Sequence, residues 1–359
     1  MNPARKYSPA RIANRRIEWL KPVGKDLDIV LTTRLRLARN IAGYKFPCRA
    51  GVDELEKILR LTLDAVDKSM LRVSSSFYDL RFLDETARSI LVERRIISPE
   101  LAELDRPGGA VVARGEESSF MINEEDHIKM YSVASGMEVD KAWNLLKKLS
   151  EKLEARLDFS YNEKLGYLTS SPTNVGSGLK ISYYCHLPGL TILRRLDQVF
   201  ETLLPAGVAV RGFLGEGSKS LGNIFQISNQ ATLGVSEKDI LDRASAVIKE
   251  LVKAERIARN EIYTERNLIA LDFVHRSFAI LKNARLMGPA EFVGFFSALR
   301  FGVDLGWVAG INRNELNRLL LNAQPGHIRV KMKGNPEQVE MDRVRALLVR
   351  NALEKAEMA

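Results

Sequence analysis

A chain of 359 residues, 45% hydrophobic and 28% charged, is long enough for two folded units and too apolar to stay disordered. No apolar run approaches the roughly 20 residues that span a bilayer, the basic start Met1 to Arg16 lacks the apolar core of a secretory signal, and Cys48 and Cys185 are too few for a disulfide framework or a zinc site. The net charge of +9 points to an anionic partner, whether nucleic acid, nucleotide phosphate or an acidic protein patch. The arginines are spread along the chain and no base-stacking motif accompanies them, so no nucleic-acid partner is expected. The expected protein is cytoplasmic, with no membrane segment.

In chain order, the first polar segment is Thr32-Thr33-Arg34-Leu35-Arg36-Leu37-Ala38-Arg39-Asn40. As a strand it aims Arg34 and Arg36 from one face. Two planar guanidinium forks side by side suit an oligophosphate, although an exposed basic edge strand would read the same way. Leu55, Ile58, Leu59, Leu63 and Val66 predict a helix over 53–70. Arg106-Pro107-Gly108-Gly109 reads as a turn, followed by strands at Ala110 to Ala113 and Ser119 to Ile122. Directly after the second strand comes Asn123-Glu124-Glu125-Asp126-His127. Three adjacent acids repel one another. A solvated turn explains most such runs, but a site that must strip a proton from a very weak acid would also want one. Helix resumes over 140–157.

The loop Gly166 to Gly178 is rich in small hydroxyl residues, and Gly176 and Gly178 would let backbone approach a ligand closely. From there Leu179, Ile181, Tyr183, Cys185 and Leu187 alternate with Lys180, Ser182, Tyr184 and His186, predicting a strand with one buried and one polar face. Arg211 to Ser218 is glycine-rich but fails the P-loop pattern, and no dinucleotide fingerprint or nucleophile elbow occurs. Gly222 to Gly234 combines strand-like apolar spacing with many amides. Ser236, with Asp239 three residues on, caps a helix whose Ile240, Leu241, Ala244, Val247, Ile248, Leu251 and Val252 share a face. The remainder reads as helical, broken at Gly288-Pro289, near Gly302–Gly310 and at Gln324-Pro325-Gly326. The expected division is 1–255, mixed, and 256–359, helical. The helical part suits dimerisation or partner docking, or is simply a second folded layer.

Together, in order and spacing, these segments resemble the ATP:guanido phosphotransferases (phosphagen kinases), whose hallmark is Asn-Glu-Glu-Asp-His after an apolar strand. The resemblance is greatest to the bacterial protein-arginine kinase branch, the McsB type. It rests on Thr33 to Asn40, Asn123 to His127, Pro172 to Gly176, His186 to Leu190, Arg211-Gly212, Gly215 to Ser218 and Gly222 to Gly234. It implies an α+β catalytic domain, an antiparallel sheet flanked by helices and glutamine-synthetase-like, followed by a helical C-terminal domain. The separate helical N-terminal domain of creatine and arginine kinases is missing. The implied activity is transfer of the γ-phosphate of ATP to arginine guanidinium groups of proteins, marking them for Clp-type degradation.

By the same resemblance Glu125 is the base, Glu124 supports it and Glu216 is a second guanidinium-holding acid. Nucleotide contacts are implied at Thr32, Thr33, Arg34, Leu35, Arg36, Arg95 and Lys129, along Lys180, Ile181, Ser182, Tyr183 and Tyr184, and along Arg211, Gly212, Phe213, Leu214, Gly215 and Glu216. Mg²⁺ is implied, held mainly through ATP, with no protein metal site. A zinc-binding activator protein, a Clp-type ATPase and a homodimer are the implied partners beside the protein substrates. The chain departs from the family in places. Lysine stands at 129 and 180 where arginine is typical, keeping the charge but losing the fork. Ser171 stands where a reactive cysteine is common, and Arg95 replaces a nucleotide-contacting histidine. Met341-Asp342-Arg343-Val344-Arg345-Ala346 resembles a phosphoarginine-binding motif with Asp342 and Arg345 kept and Met341 replacing its first arginine. Two other readings stay open: a weakly active or inactive homologue acting as an arginine- or phosphoarginine-binding adaptor, and a kinase of a small guanidino compound.

Overall fold

The computed structural model describes residues 8–69, 71, 75–212, 221–332, 334 and 336–359. Among them the strands are β1 (Val30–Arg39), β2 (Ser75–Asp79), β3 (Gly109–Ala113), β4 (Ser118–Ile122), β5 (Ile128–Ser135), a short hairpin β6 (Tyr161–Asn162) and β7 (Gly166–Tyr167), then β8 (Leu179–His186), β9 (Val208–Gly212) and β10 (Ile224–Asn229). Eight of these join one antiparallel sheet in the order β2-β3-β4-β5-β1-β8-β10-β9, and two further short strands, β11 (Val308–Ala309) and β12 (Glu357–Met358), pair with each other in the helical part. The strand with the two arginines is therefore central, not an exposed edge. Its neighbours are fixed in register, with Arg36 opposite Tyr131 on β5 and Lys180 on β8, and Arg34 opposite Ser182.

Strand alternation divides this sheet into two faces. Leu35, Leu37, Met130, Ile181, Tyr183 and Ile227 form one face and pack in the first core. The apolar stripes of helices Val52–Lys68, Val139–Glu154 and Glu237–Thr264 cover it. On the opposite face, Tyr78, Ala110, Val112, Met121 and Tyr131 pack against Ala87, Ile90 and Leu91 of helix Glu85–Glu93. That helix covers only the β2–β5 side. The β1, β8 and β10 side of the same face forms the floor of a cavity, so Ser182 and Tyr184 are buried although the alternation predicts a polar, open face.

One side chain ties the central strands β8 and β10 together. Asn229 continues the β8–β10 ladder with its amide, accepting from Ile181 N at 2.8 Å and donating to Leu179 O at 3.0 Å and to Ala231 O at 3.1 Å. Asn229→Ala should lower the urea-unfolding free energy by about 2–3 kcal/mol, because buried backbone groups lose their partners. A loss under half of that would remove the amide from this role. Gly176 and Gly178, expected to face a ligand, instead bring the chain against itself. A Cβ at Gly176 would lie 2.3 Å from Thr232 O, and one at Gly178 2.8 Å from Ala38 O, and both glycines have positive φ.

Helix Glu237–Thr264 runs unbroken through residue 255 and is capped by Ser236, whose hydroxyl accepts from Asp239 N. Ile240 to Ala258 face the first core and Ile262 joins the second. Helices Leu268–Asn283, Pro289–Asp304, Arg313–Asn322 and Gln338–Ala352 enclose that second core around Val274, Phe292, Phe296, Phe301 and Ala346, while Val330 of helix Pro325–Val330 packs against the cluster of helix Glu85–Glu93. Gly302 does not break its helix. A Cβ there would meet Val274 Cγ1 at 2.6 Å, so the glycine serves close helix packing and the break falls after Asp304.

Candidate active site

The cavity over the sheet has a volume of about 910 Å³. Its floor carries Arg34 and Arg36 of β1, Lys129 and Tyr131 of β5, Lys180, Ser182 and Tyr184 of β8, Gln226 of β10 and Arg211 of β9. These residues share a face because antiparallel register aligns every second position of the strands. Five cations on one floor repel one another unless an anion lies among them. Arg36 donates to Asn174 Oδ1 at 2.6 Å, and Arg34 donates to Arg95 O at 3.0 Å while lying over the Tyr131 ring, 4.1 Å from its centroid. The Nε of each arginine is buried with no hydrogen-bond partner among the described residues. Those two orphaned donors fit the oxygens of an oligophosphate. Arg95, at φ 59°, lies over the Tyr184 ring at 3.9 Å, and burial pulls its guanidinium below its ordinary range.

The acid run forms the turn between β4 and β5 and divides by role. Asn123, at φ 60°, donates from its amide to Leu55 O and Pro107 O. Asp126 accepts from Asn40 Nδ2 and Ser170 N, both at 2.8 Å. His127 Nδ1 accepts from Ile41 N, which leaves Nε2–H to donate to Lys45 O, and burial lowers its pKa. These three brace the turn, whereas Glu124 and Glu125 line the cavity.

Glu124 is 7% exposed and accepts from Ser98 Oγ at 2.9 Å and from Glu125 N at 2.9 Å. Lys129 Nζ contacts the carboxylates of both Glu124 and Glu125, the latter at 2.8 Å. Burial would raise the Glu124 carboxyl, but the ammonium beside it and its hydrogen bonds hold it below its ordinary value. Burial and Arg36 act to lower the Lys129 ammonium, but Tyr131 and Glu124 raise it, and the net shift is upward. Arg106 holds the turn from outside, donating to Glu124 O at 2.6 Å and Asn123 O at 3.2 Å.

The cavity gathers Thr32, Arg34, Arg36, Arg95, Glu124, Glu125, Lys129, Lys180, Ser182, Tyr184 and Arg211 from the residues the sequence singled out. Thr33, Leu35, Ile181 and Tyr183 do not line it. Contiguous stretches were carried over, but a strand turns alternate residues away. Thr33 Oγ1 donates to Gly136 O, Tyr183 OH meets Ser245, and Leu35 and Ile181 are core. Gly212 ends β9, and Phe213, Leu214, Gly215 and Glu216 lie outside the described residues. Of Asp342 and Arg345, the second is wholly buried, donating to Asp342 Oδ1 at 2.6 Å, Ala323 O and Met287 O. That guanidinium braces helix ends and is not presented to solvent. Trp19, Leu20, Ser98, Arg106, Asn317, Leu320 and Gln324 line the cavity without having been expected, because nothing local in the sequence links segments so far apart.

Among the described residues no group of three or more His, Cys, Asp or Glu could hold a metal ion, and no helix is long and apolar enough to cross a membrane. A second recess of about 750 Å³ beside Tyr161 and Tyr167 is lined by Glu154, Asp158 and Glu237 and has none of the cationic floor.

Known proteins share this architecture. The family model for the ATP:guanido phosphotransferase C-terminal catalytic domain matches residues 56–258, and that for the protein-arginine kinase McsB C-terminal domain matches 268–359. A protein-arginine kinase of Bacillus pumilus (strain SAFR-032) is 38% identical over 339 residues, covering 94% of this chain and 93% of the relative. One of Geobacillus sp. (strain WCH70) is 38% identical over 341 residues, 94% of each. Among solved structures, lombricine kinase is 21% identical with a TM-score of 0.58, covering 67% of this chain and 71% of that one. The substrate-free duplicated taurocyamine kinase from Schistosoma mansoni is 24% identical with a TM-score of 0.56, covering 68% of this chain and 36% of that one. These two establish a phosphagen-kinase-like fold. With an antiparallel catalytic core matched over more than half its length and curated relatives alike from end to end, the chain belongs to the ATP:guanido phosphotransferase family, in its protein-arginine kinase branch.

Proposed function

We propose that this ATP-dependent phosphotransferase moves the γ-phosphoryl group of ATP onto the guanidinium groups of arginine residues in proteins. The observation that carries the reading is one cavity in which a pair of carboxylates, Glu124 and Glu125, stands beside a floor of five cations. A guanidinium, with its pKa above about 12, is no nucleophile until a proton leaves. Glu124, buried and ionised, holds the fork of the incoming arginine by paired charge-assisted hydrogen bonds. Glu125, the more exposed of the two, takes the proton as the nitrogen–phosphorus bond forms. The bond from the γ-phosphorus to the bridging oxygen breaks, and its electron pair leaves on the β-phosphate of ADP.

Arg34, Arg36, Lys180 and Arg211 spread positive charge over the triphosphate throughout, and Arg95 adds to that cradle. Lys129 divides its charge between the acids and the nucleotide. Glu216 is, by family resemblance alone, a second acid for the guanidinium. Mg²⁺, which neutralises phosphate charge when bound, fits as an ion held mainly by nucleotide oxygens, since the donors at hand are two carboxylates already engaged by Lys129. Residues 1–255 form the catalytic domain in this reading and 256–359 a domain for dimerisation and regulation. On the same resemblance, the protein is cytoplasmic, works with a zinc-binding activator and marks its targets for a Clp-type ATPase.

The test is incubation with Mg-ATP and an arginine-bearing protein, with free arginine and creatine as parallel acceptors. Acid-labile phosphate is then mapped by mass spectrometry under neutral conditions. The expected result is phosphate on protein arginine. Phosphate confined to a free guanidino compound would mean a small-molecule kinase, and none on any acceptor would mean an adaptor.

A further inference from the structure

Glu93, Arg94 and Arg95 follow one another at the end of helix Glu85–Glu93 and face three directions. The Glu93 carboxylate accepts from Gly326 N at 2.5 Å, from His327 N at 3.2 Å and from His327 Nδ1 at 2.6 Å. Arg94 is buried, pairs with Glu116 at 2.9 Å and donates to Ala13 O and Arg15 O. Arg95 lies over Tyr184 in the cavity, and its carbonyl accepts from Arg34.

Glu93 therefore joins two walls of one cavity. Val92, Glu93 and Arg95 line one wall. Asn317, Leu320 and Gln324, the last of them two residues before Gly326, line the other, and they belong to the helical second unit. Three N–H groups on one carboxylate make a strong, directional tie. Arg95 sits in a left-handed backbone conformation, which a non-glycine residue keeps only where its surroundings enforce it. The tie lies two residues upstream, so where it holds the helix end decides where the Arg95 guanidinium and the Arg34 acceptor stand.

We propose that the Glu93 clamp on Gly326 and His327 is the positioning contact through which the C-terminal helical unit sets the nucleotide affinity of the cavity. The proposal rests on the reading of this cavity as the ATP site. Glu93 is a positioning residue in it: it acts through Arg95, Arg34 and the facing wall, without touching the reacting atoms. Opening the clamp lets the two walls part and lets Arg95 swing from Tyr184. Nucleotide binding then weakens, while Glu124 and Glu125 keep their chemistry, the Glu124 carboxylate held by Ser98, the Glu125 carboxylate by Lys129 and the backbone of their turn by Arg106.

The experiment titrates Mg-ATP calorimetrically into the full chain as wild type, Glu93→Gln, Gly326→Ala, His327→Ala and His327→Asn. KM for ATP, kcat on an arginine-bearing protein and the melting temperature are measured in parallel. Glu93→Gln and His327→Ala should raise the Mg-ATP dissociation constant about five- to tenfold, the lower range for a contact coupled to a ligand site, with kcat at saturating ATP within about twofold. Gly326→Ala should weaken binding too, since its Cβ would stand 3.0 Å from Glu93 Oε1 and press the carboxylate away. His327→Asn should restore most of the affinity, because its amide N–H can replace Nδ1–H toward Glu93. Unchanged affinity in folded Glu93→Gln and Gly326→Ala overturns the proposal. So does His327→Asn binding as weakly as His327→Ala, or a fall in kcat as large as the rise in KM. A wild type that binds no Mg-ATP at all would instead defeat the nucleotide reading of the cavity, and the clamp proposal with it.

Discussion

Glu125→Gln should leave the dissociation constant of Mg-ATP within about twofold of wild type and lower turnover on protein arginine by at least ~10²-fold, the usual worth of a positioned general base. The amide keeps the size and one acceptor of the carboxylate but cannot take up the guanidinium proton. The nucleotide is held by the cationic floor, 3 of whose members, Arg34, Arg36 and Lys180, lie on β1 and β8 rather than on the acid turn. Affinity and turnover should therefore separate. The check is calorimetry for the nucleotide together with single-turnover phosphorylation of a protein substrate, each in the wild type and the variant. Turnover unchanged in the variant would take Glu125 out of the role of base.

Lys129→Met should cost about 3 kcal/mol of folding stability at neutral pH, because it leaves the buried Glu124 carboxylate without its cation. The pH dependence follows from the two shifts. Glu124 is held below its ordinary value of 4.5 in the fold, so its stabilisation is present above that value and disappears as pH falls through the folded pKa. Lys129 is held above its ordinary value of 10.5, so its share is present below that value and disappears as pH rises through the folded pKa. The pair thus stabilises the fold fully between pH 4.5 and 10.5. In the variant only burial and neutral hydrogen bonds act on Glu124, and its carboxyl moves up. Urea unfolding of both proteins should show the largest gap near neutrality and a narrowing gap on acidification. Equal stability at pH 7, or a gap that persists unchanged into acid, would mean that Lys129 carries no weight in holding the acid pair.

Lys129 also bears on rate. Its ammonium touches the two acids that the proposed mechanism assigns to the substrate guanidinium, so substrate must compete with a resident cation for the same oxygens. An arginine in its place would offer a wider fork and a charge spread over the plane. Lys129 thus lowers the basicity of Glu124 while adding its own charge to the cationic floor of the cavity.

Much of the fold was legible in local pattern. Alternation along Thr32 to Asn40 and Leu179 to His186, the helical spacing of Leu55 to Val66 and the Ser236 cap each depend on neighbours within a few residues, and all appear in the structure as read. The acid run was legible as a site because its charge repulsion is itself local. Its division into braces and chemistry was not. Asn123, Asp126 and His127 are braces only because Leu55, Asn40, Ile41 and Lys45, distant in sequence, arrive beside them. The glycines 176 and 178 were misread for the same reason: their close neighbour is Thr232 or Ala38 backbone, which chain order does not reveal.

By itself the sequence determined the strand periods, the helix caps, the clustered acids and the five cations, and through their order the family. Those are properties of residues and short spacings, and they survive without coordinates. The tertiary structure alone decided that Thr33, Leu35, Ile181 and Tyr183 turn to the core while their neighbours face the cavity, that Arg345 is enclosed, and that Glu93 reaches Gly326 and His327 from the other unit. Antiparallel pairing and packing of two cores set these contacts, and both depend on which distant segments meet, a choice made by the whole chain's burial and not by any stretch of it.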